Sequence, residues 1–261
     1  MDKLVDIQKI IPVIKNAGKK ITYNFRFKRV ISVKGKSNYV TDLDKTIEQY
    51  VIEEVSKIYP KYPFISEESI NTVSKWPTYW VLDPIDGTTN LIHGYPSVCI
   101  SLALINNGEA LLGIVYCPLT NELYFAEHEN GAYMQKGLRC KKISVSECAS
   151  IKNSMIGFGC PYNKKRVPQL FTILNSLLSQ CDDIKRSGPA SLDICYVACG
   201  ILDAYVELDL EIWDFLAGSL ILKEAGGSVT DTKGNNVIVN KCDILASNSK
   251  IHMQMLEAMN K

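Results

Sequence analysis

The chain has 261 residues, 46% of them hydrophobic and 22% charged, with a net charge of +1. That length buries a full core, as one large domain or two tightly joined lobes, and so weak a charge leaves no general field to draw in nucleic acid or an anionic membrane. No apolar run approaches the roughly 18 residues of a membrane span, and the N-terminus lacks a signal peptide's uninterrupted apolar core, so a cytoplasmic chain is expected.

In chain order, Leu4, Ile7, Ile11 and Ile14 recur at helical spacing and predict an N-terminal helix, which Pro12 is expected to kink. A basic segment, residues 27–38, reads as an exposed strand and loop. Thr41-Asp42 caps a second helix through Ile47, Val51 and Val55. Short strands follow at Phe64-Ile65, Tyr79–Leu82, Val98–Ile105, Leu111–Cys117 and Glu122–Ala126, the last three joined by turn signals as an antiparallel meander. The second half alternates helices (167–180, 190–200, 214–225, 249–260) with short strands near 184–187, 203–207, 228–230 and 243–247. The chain is therefore mixed α and β with layered helices and sheets. Its softest boundary lies near 140–155, dividing an N-terminal lobe of about 1–145 from a C-terminal lobe of about 146–261 within one domain. Nine cysteines, an odd number without a C-x-x-C pair, read as reduced and mostly buried thiols. The three histidines, His93, His128 and His252, are too scattered for a zinc site.

The chemistry concentrates in Trp80–Pro96, WVLDPIDGTTNLIHGYP. A buried strand runs into Asp83, then a turn carrying Asp86, Gly87, Thr88 and Thr89. Carboxylates on a rigid strand end, beside hydroxyls and a glycine, suit a hard divalent cation and a phosphate. Glu67-Glu68 after the preceding strand, Asp42 and Asp44 at the second helix, and Asp214 at the start of a later helix add further acids. Gathered without cations, Glu67, Asp83, Asp86 and Asp214 would repel one another strongly. N–H groups of residues 87–89, opening a short helix, suit phosphate oxygens. Singly, each has a plainer reading: Asp83 and Asp86 as turn formers, Glu67 and Glu68 as a solvated loop, Asp214 as a helix cap, Trp213 as core packing. Only their joint occurrence points to metal-assisted phosphate chemistry.

These motifs resemble those of the inositol monophosphatase family of Mg²⁺-dependent, lithium-sensitive phosphatases. The resemblance rests on Trp80, Asp83-Pro84-Ile85-Asp86-Gly87-Thr88, Asn90 and Pro96; on Trp213-Asp214, Gly218 and Glu224-Ala225-Gly226-Gly227; and on Glu67-Glu68-Ser69 and Val40-Thr41-Asp44. It implies a layered αβαβα sandwich, usually a homodimer. It implies one metal on Glu67, Asp83 and the carbonyl of Ile85, a second on Asp83, Asp86 and Asp214, and a looser third near Glu67 and Glu68. Thr88 and Glu67 then position the attacking water, with Asp44 behind Thr88. Asp86, Gly87, Thr88 and Thr89 fall where phosphate is held, and Gly188, Ala190 and Glu207 where the substrate's hydroxyls are touched, with Asp214 beside the substrate. The implied reaction is hydrolysis of myo-inositol monophosphate or a similar polyol or sugar phosphate by metal-activated water, without a phosphoenzyme, since no cysteine or serine sits in a nucleophile motif and His93 has no obvious partner.

The chain departs from the usual pattern at Pro189, Ser191, Ser66 and the acidic stretch between Glu207 and Asp214. These leave the alcohol half of the substrate open, so a fructose 1,6-bisphosphatase or a 3′(2′),5′-bisphosphate nucleotidase remains as an alternative. Thr89, where a nucleotidase more often has lysine, favours the inositol monophosphatase reading. A D-x-D-G-T phosphatase is disfavoured because its aspartates are two apart and share one face of a strand; here they are three apart. An EF-hand loop lacks its alternate acids, and no P-loop is present. A non-catalytic phosphate or metal sensor is the reading from another class, which a phosphate-release assay separates.

Overall fold

In the computed structural model, which describes residues 4–25, 31–35, 38–69, 76–237 and 239–260, Asp6 caps α1 (Ile7–Asn24) by accepting the Gln8 N–H. Ile7, Ile10, Ile14, Ala17 and Ile21 form its buried stripe, and the helix runs uninterrupted through Pro12. β1 (Ile31–Gly35) and β2 (Asn38–Thr41) pair antiparallel; the loop of the basic segment, and its expected exposure, lie outside the described residues. Thr41 caps α2 (Asp42–Ile58) in a reciprocal box: it accepts the Asp44 N–H while Asp44 accepts the Thr41 N–H at 2.9 Å.

A seven-stranded sheet follows, ordered β3 (Phe64–Ser66), β4 (Thr78–Asp86), β5 (Cys99–Asn106), β6 (Glu109–Cys117), β7 (Glu122–Glu127), β8 (Ala132–Lys136) and β9 (Arg139–Lys142). Only the β3–β4 pair is parallel. β4 is buried on both faces from Tyr79 onward, so it reads as a continuous apolar run rather than an alternating one. Its register slips between Asp83 and Asp86, where Pro84 has no N–H to give the ladder. The two aspartates flank the slip, Asp83 opposite Ser101 and Asp86 opposite Cys99. β8 and β9 extend the expected meander. They leave little periodic trace, because β9 is wholly exposed and β8 buries only Ala132.

The second sheet has the order β11 (Asp183–Lys185), β10 (Met155–Phe158), β12 (Ala204–Leu210), β14 (Cys242–Ser247) and β13 (Ser228–Thr230). α5 (Ala190–Ala198) and α6 (Ile212–Glu224) lie between the sheets; α4 (Val167–Leu178) and α7 (His252–Met259) cover the second sheet's outer face. α1 and α2 cover the outer face of the first. The result is the αβαβα sandwich. α6 is buried all around, as the layer shared by two sheets must be. Gly113 of β6 admits it closely: a Cβ there would stand 2.6 Å from the Ala217 carbonyl oxygen. All nine cysteines are free; Cys99, Cys117 and Cys195 are buried, five are partly buried and Cys140 is exposed, so fewer are deeply buried than their apolar neighbours imply.

Candidate active site

The end of β4 and the helix after it build one wall of a cavity. Gly87, at φ 97°, makes the turn that a side chain would strain and opens α3 (Thr88–His93). The first N–H groups of α3 have no intrahelical acceptor, and Asp86, Gly87, Thr88 and Thr89 all line the cavity. An adjoining wall holds Gly188, Ala190, Glu207 and Asp214. Asn90 fastens the two walls by donating to the carbonyls of Ser97 at 2.8 Å and Ser187 at 3.0 Å. Eight residues expected at phosphate and substrate thus face one space.

Asp83, Ile85 and Asp44 lie behind that wall, each almost wholly buried. Asp83 Oδ1 accepts the Ile85 N–H at 2.9 Å. Thr88 Oγ1 stands 2.9 Å from Asp44 Oδ1 and 3.1 Å from the Ile85 carbonyl oxygen. Its single proton is thereby directed to acceptors, which leaves its lone pairs to accept from a water. Glu67 leaves β3 with its N–H on the Leu82 carbonyl, and Glu48 of α2 anchors the same loop by accepting from the N–H and hydroxyl of Ser69. Asp214 sits in the first turn of α6, one oxygen accepting the Glu211 N–H at 2.7 Å.

Among the described residues, no three His, Cys, Asp or Glu side chains are grouped so as to hold a metal ion as they stand. The carboxylates are nevertheless close enough to act on one another. Burial, and then the charges of Glu67, Asp86, Asp214 and Asp44, hold the Asp83 carboxyl well above the usual range. Burial, Asp86 and Glu67 do the same to Asp214. Burial pushes Asp86 up to about 6, against hydrogen bonds from Ser191. Asp44 is raised by burial and drawn back by Thr41 and Thr88. Every charge acting foremost on Asp83 is negative, so this oxygen-only set fits hard divalent cations brought in from solution better than it fits itself.

Asn90, read in the sequence as a motif residue without a role, lines the cavity, as do Cys160, Tyr162, Arg186 and Leu210, which the sequence did not offer as site residues. Tyr162, half-exposed, feels the charges of Asp214, Glu67, Asp86 and Asp83. Tyr205 donates its hydroxyl to Glu207, whose carboxyl burial pushes up to about 8. The acidic stretch before Asp214 has a structural use: Lys241 pairs with Glu211 at 2.7 Å and with Asp209 at 3.4 Å. Of residues 208–213 only Leu210 lines the cavity.

The sequence matches the inositol monophosphatase family over residues 4–261. It is 36% identical over 225 residues to the Nus factor SuhB of Xylella fastidiosa, covering 84% of this chain and 80% of that protein. It is 33% identical over 233 residues to the inositol-1-monophosphatase of Mesorhizobium japonicum, covering 88% and 86%. The crystal structure of the extragenic suppressor protein suhB from Bartonella henselae superposes with a TM-score of 0.92 at 32% identity, covering 98% of each chain. With the sandwich, the cavity and these likenesses in agreement, the chain belongs to the inositol monophosphatase family.

Proposed function

We propose that the chain hydrolyses a phosphate monoester with Mg²⁺, releasing inorganic phosphate from myo-inositol monophosphate or a similar polyol or sugar phosphate. The supporting observation is that Asp86 at the end of β4 and Asp214 of α6 line a cavity with the N-terminus of α3, with Glu67 and Asp83 close enough for their charges to act on these acids. Glu67, Asp83 and the Ile85 carbonyl would hold one ion, and Asp83, Asp86 and Asp214 a second, with Glu67 and Glu68 near a looser third. Mg²⁺ in those places supplies neutralisation of developing charge and activation of the attacking water. Thr88, its proton given to Asp44, holds that water by accepting from it, with Glu67 as the second positioning group. The N–H groups opening α3 receive phosphate oxygens, while Glu207, Ala190 and Gly188 meet the alcohol half. Lithium sensitivity and a cytoplasmic homodimer belong to the same reading.

One observation favours a second reading. Arg186, exposed on the cavity wall, has no ion pair among the described residues. A guanidinium so placed suits a second anionic group, as in a fructose bisphosphate or nucleoside bisphosphate. Phosphate release is measured with Mg²⁺ on inositol 1-phosphate, fructose 1,6-bisphosphate, adenosine bisphosphate and glycerol 2-phosphate. Turnover on the first that exceeds the others is expected. Asp83→Asn is expected to lower it at least about a hundredfold with an unchanged circular dichroism spectrum. Near-normal turnover in that variant would overturn the ligand assignment.

A further inference from the structure

Ser191, the second residue of α5, is fully buried, and both of its donors converge on one atom. Its N–H stands 2.9 Å and its hydroxyl 2.6 Å from Asp86 Oδ2. The Cys99 thiol approaches the same oxygen at 3.9 Å and lies 3.2 Å from Ser191 Oγ. Both Ser191 hydrogen bonds and the thiol contact thus end on Oδ2, and the neighbouring Ala190 N–H also acts on the carboxylate from the start of α5. Asp86 meanwhile lines the cavity.

We propose that Ser191 is a positioning residue for Asp86: by holding Oδ2 from α5 it fixes the carboxylate plane and leaves Oδ1 as the atom offered to a divalent cation. This rests on the reading of Asp86 as a ligand of the second ion. The torsion that turns a carboxylate about its own axis is broad and weakly restrained. The backbone N–H groups of Ala190 and Ser191 approach the carboxylate from one side; the Ser191 hydroxyl, at the start of a buried helix, adds the side-chain donor that closes the rotation before the ion arrives. Groups behind a ligand that fix its orientation in this way are worth about 10- to 100-fold in metal affinity. Ser191 also couples two parts of the cavity. It follows Ala190, which lines the wall facing substrate, and it bonds to the last residue of β4, so α5 carries both.

Ser191→Ala removes one oxygen from a buried position and retains the N–H bond. The test is calorimetric titration of the metal-free full chain with MgCl₂, for wild type, Ser191→Ala and Asp86→Asn. In Ser191→Ala one ion is expected to bind about 10- to 100-fold more weakly, the other to remain at wild-type affinity, and the thermal midpoint without metal to hold. Ser191→Cys, close in shape with a weaker donor, is expected to fall between. Asp86→Asn is expected to lose the same ion. If Asp86→Asn loses an ion and Ser191→Ala titrates as wild type, the positioning role is wrong and the ligand reading stands. If Asp86→Asn also titrates as wild type, the ligand reading fails and takes the proposal with it. Equal weakening of both ions in Ser191→Ala marks general loosening of the fold and overturns the proposal as well.

Discussion

Gly159 has no chemistry of its own, yet it makes room for Glu207. A Cβ at that position would stand 1.9 Å from Glu207 Oε2 and 2.0 Å from its Cδ. The carboxyl is the far end of a flexible side chain, but the Tyr205 hydroxyl holds it, so making way for a Cβ would pull it off that hydrogen bond and out of its place on the cavity wall. Gly159→Ala is therefore expected to cost about 1–3 kcal/mol in urea denaturation, the usual range for overpacking. It should also raise KM for inositol 1-phosphate about tenfold or more, as one lost hydrogen bond to a charged or strongly polar group does, while kcat changes less. An unchanged KM would remove Glu207 from the hydroxyl-binding set. Glu207 was legible in the sequence only through family resemblance, and Gly159 was not legible at all. What joins them is the pairing of β10 with β12, in which the Gly159 N–H reaches the Val206 carbonyl at 3.1 Å.

At the scale of elements, α6 shows what was readable and what was not. The sequence places a helix at 214–225 and offers Asp214 as its cap; the helix runs Ile212–Glu224, and Glu211 holds the cap position. Asp214 stands three residues on and closes a capping box, so one carboxylate both starts the helix and faces the cavity. The helix is apolar on all sides, which erases the one-sided periodicity that places a boundary. Its seat on the first sheet depends on Gly113, opposite the Ala217 backbone. Because backbone cannot swing aside as a side chain does, Gly113→Ala should lift α6 away from β6. The expected cost is about 3 kcal/mol, the upper part of the overpacking range. Asp214 should move with the helix, weakening Mg²⁺ binding in the same calorimetric titration. A denaturation midpoint equal to wild type would show that the sheet yields instead.

Across the whole molecule, four of the five layers bring negative charge together with few compensating groups: Asp44 from α2, Asp83 and Asp86 from β4, Asp193 and Asp214 from the middle helices, and Glu207 from β12. Burial pushes Glu207 up to about 8 from an ordinary 4.5, and Asp193 up to about 7 from 3.8; Asp83 and Asp214 shift the same way. Such groups bind protons more tightly folded than unfolded. Their contribution to stability is full below the unfolded values and is lost as pH rises through the folded ones. The metal-free protein is therefore expected to melt at a lower temperature at pH 8.5 than at pH 5.5, and added Mg²⁺ to restore more at the higher pH. Scanning calorimetry in EDTA and in MgCl₂ checks both, and a metal-free midpoint that rises with pH would contradict the sign. The sequence by itself determined the order of most helices and strands, and the run Asp83–Thr89 in which acids, a turn and a helix start are contiguous. Those features are local: a capping residue, an apolar period or a turn glycine acts within a few positions. Only the tertiary structure decided that Ser191 grips Asp86, that Tyr205 and Gly159 frame Glu207, and that Arg186 and Tyr162 reach the cavity. Asp86 and Ser191, for instance, lie 105 positions apart and on different layers, and packing between layers leaves no period along the chain from which to read it.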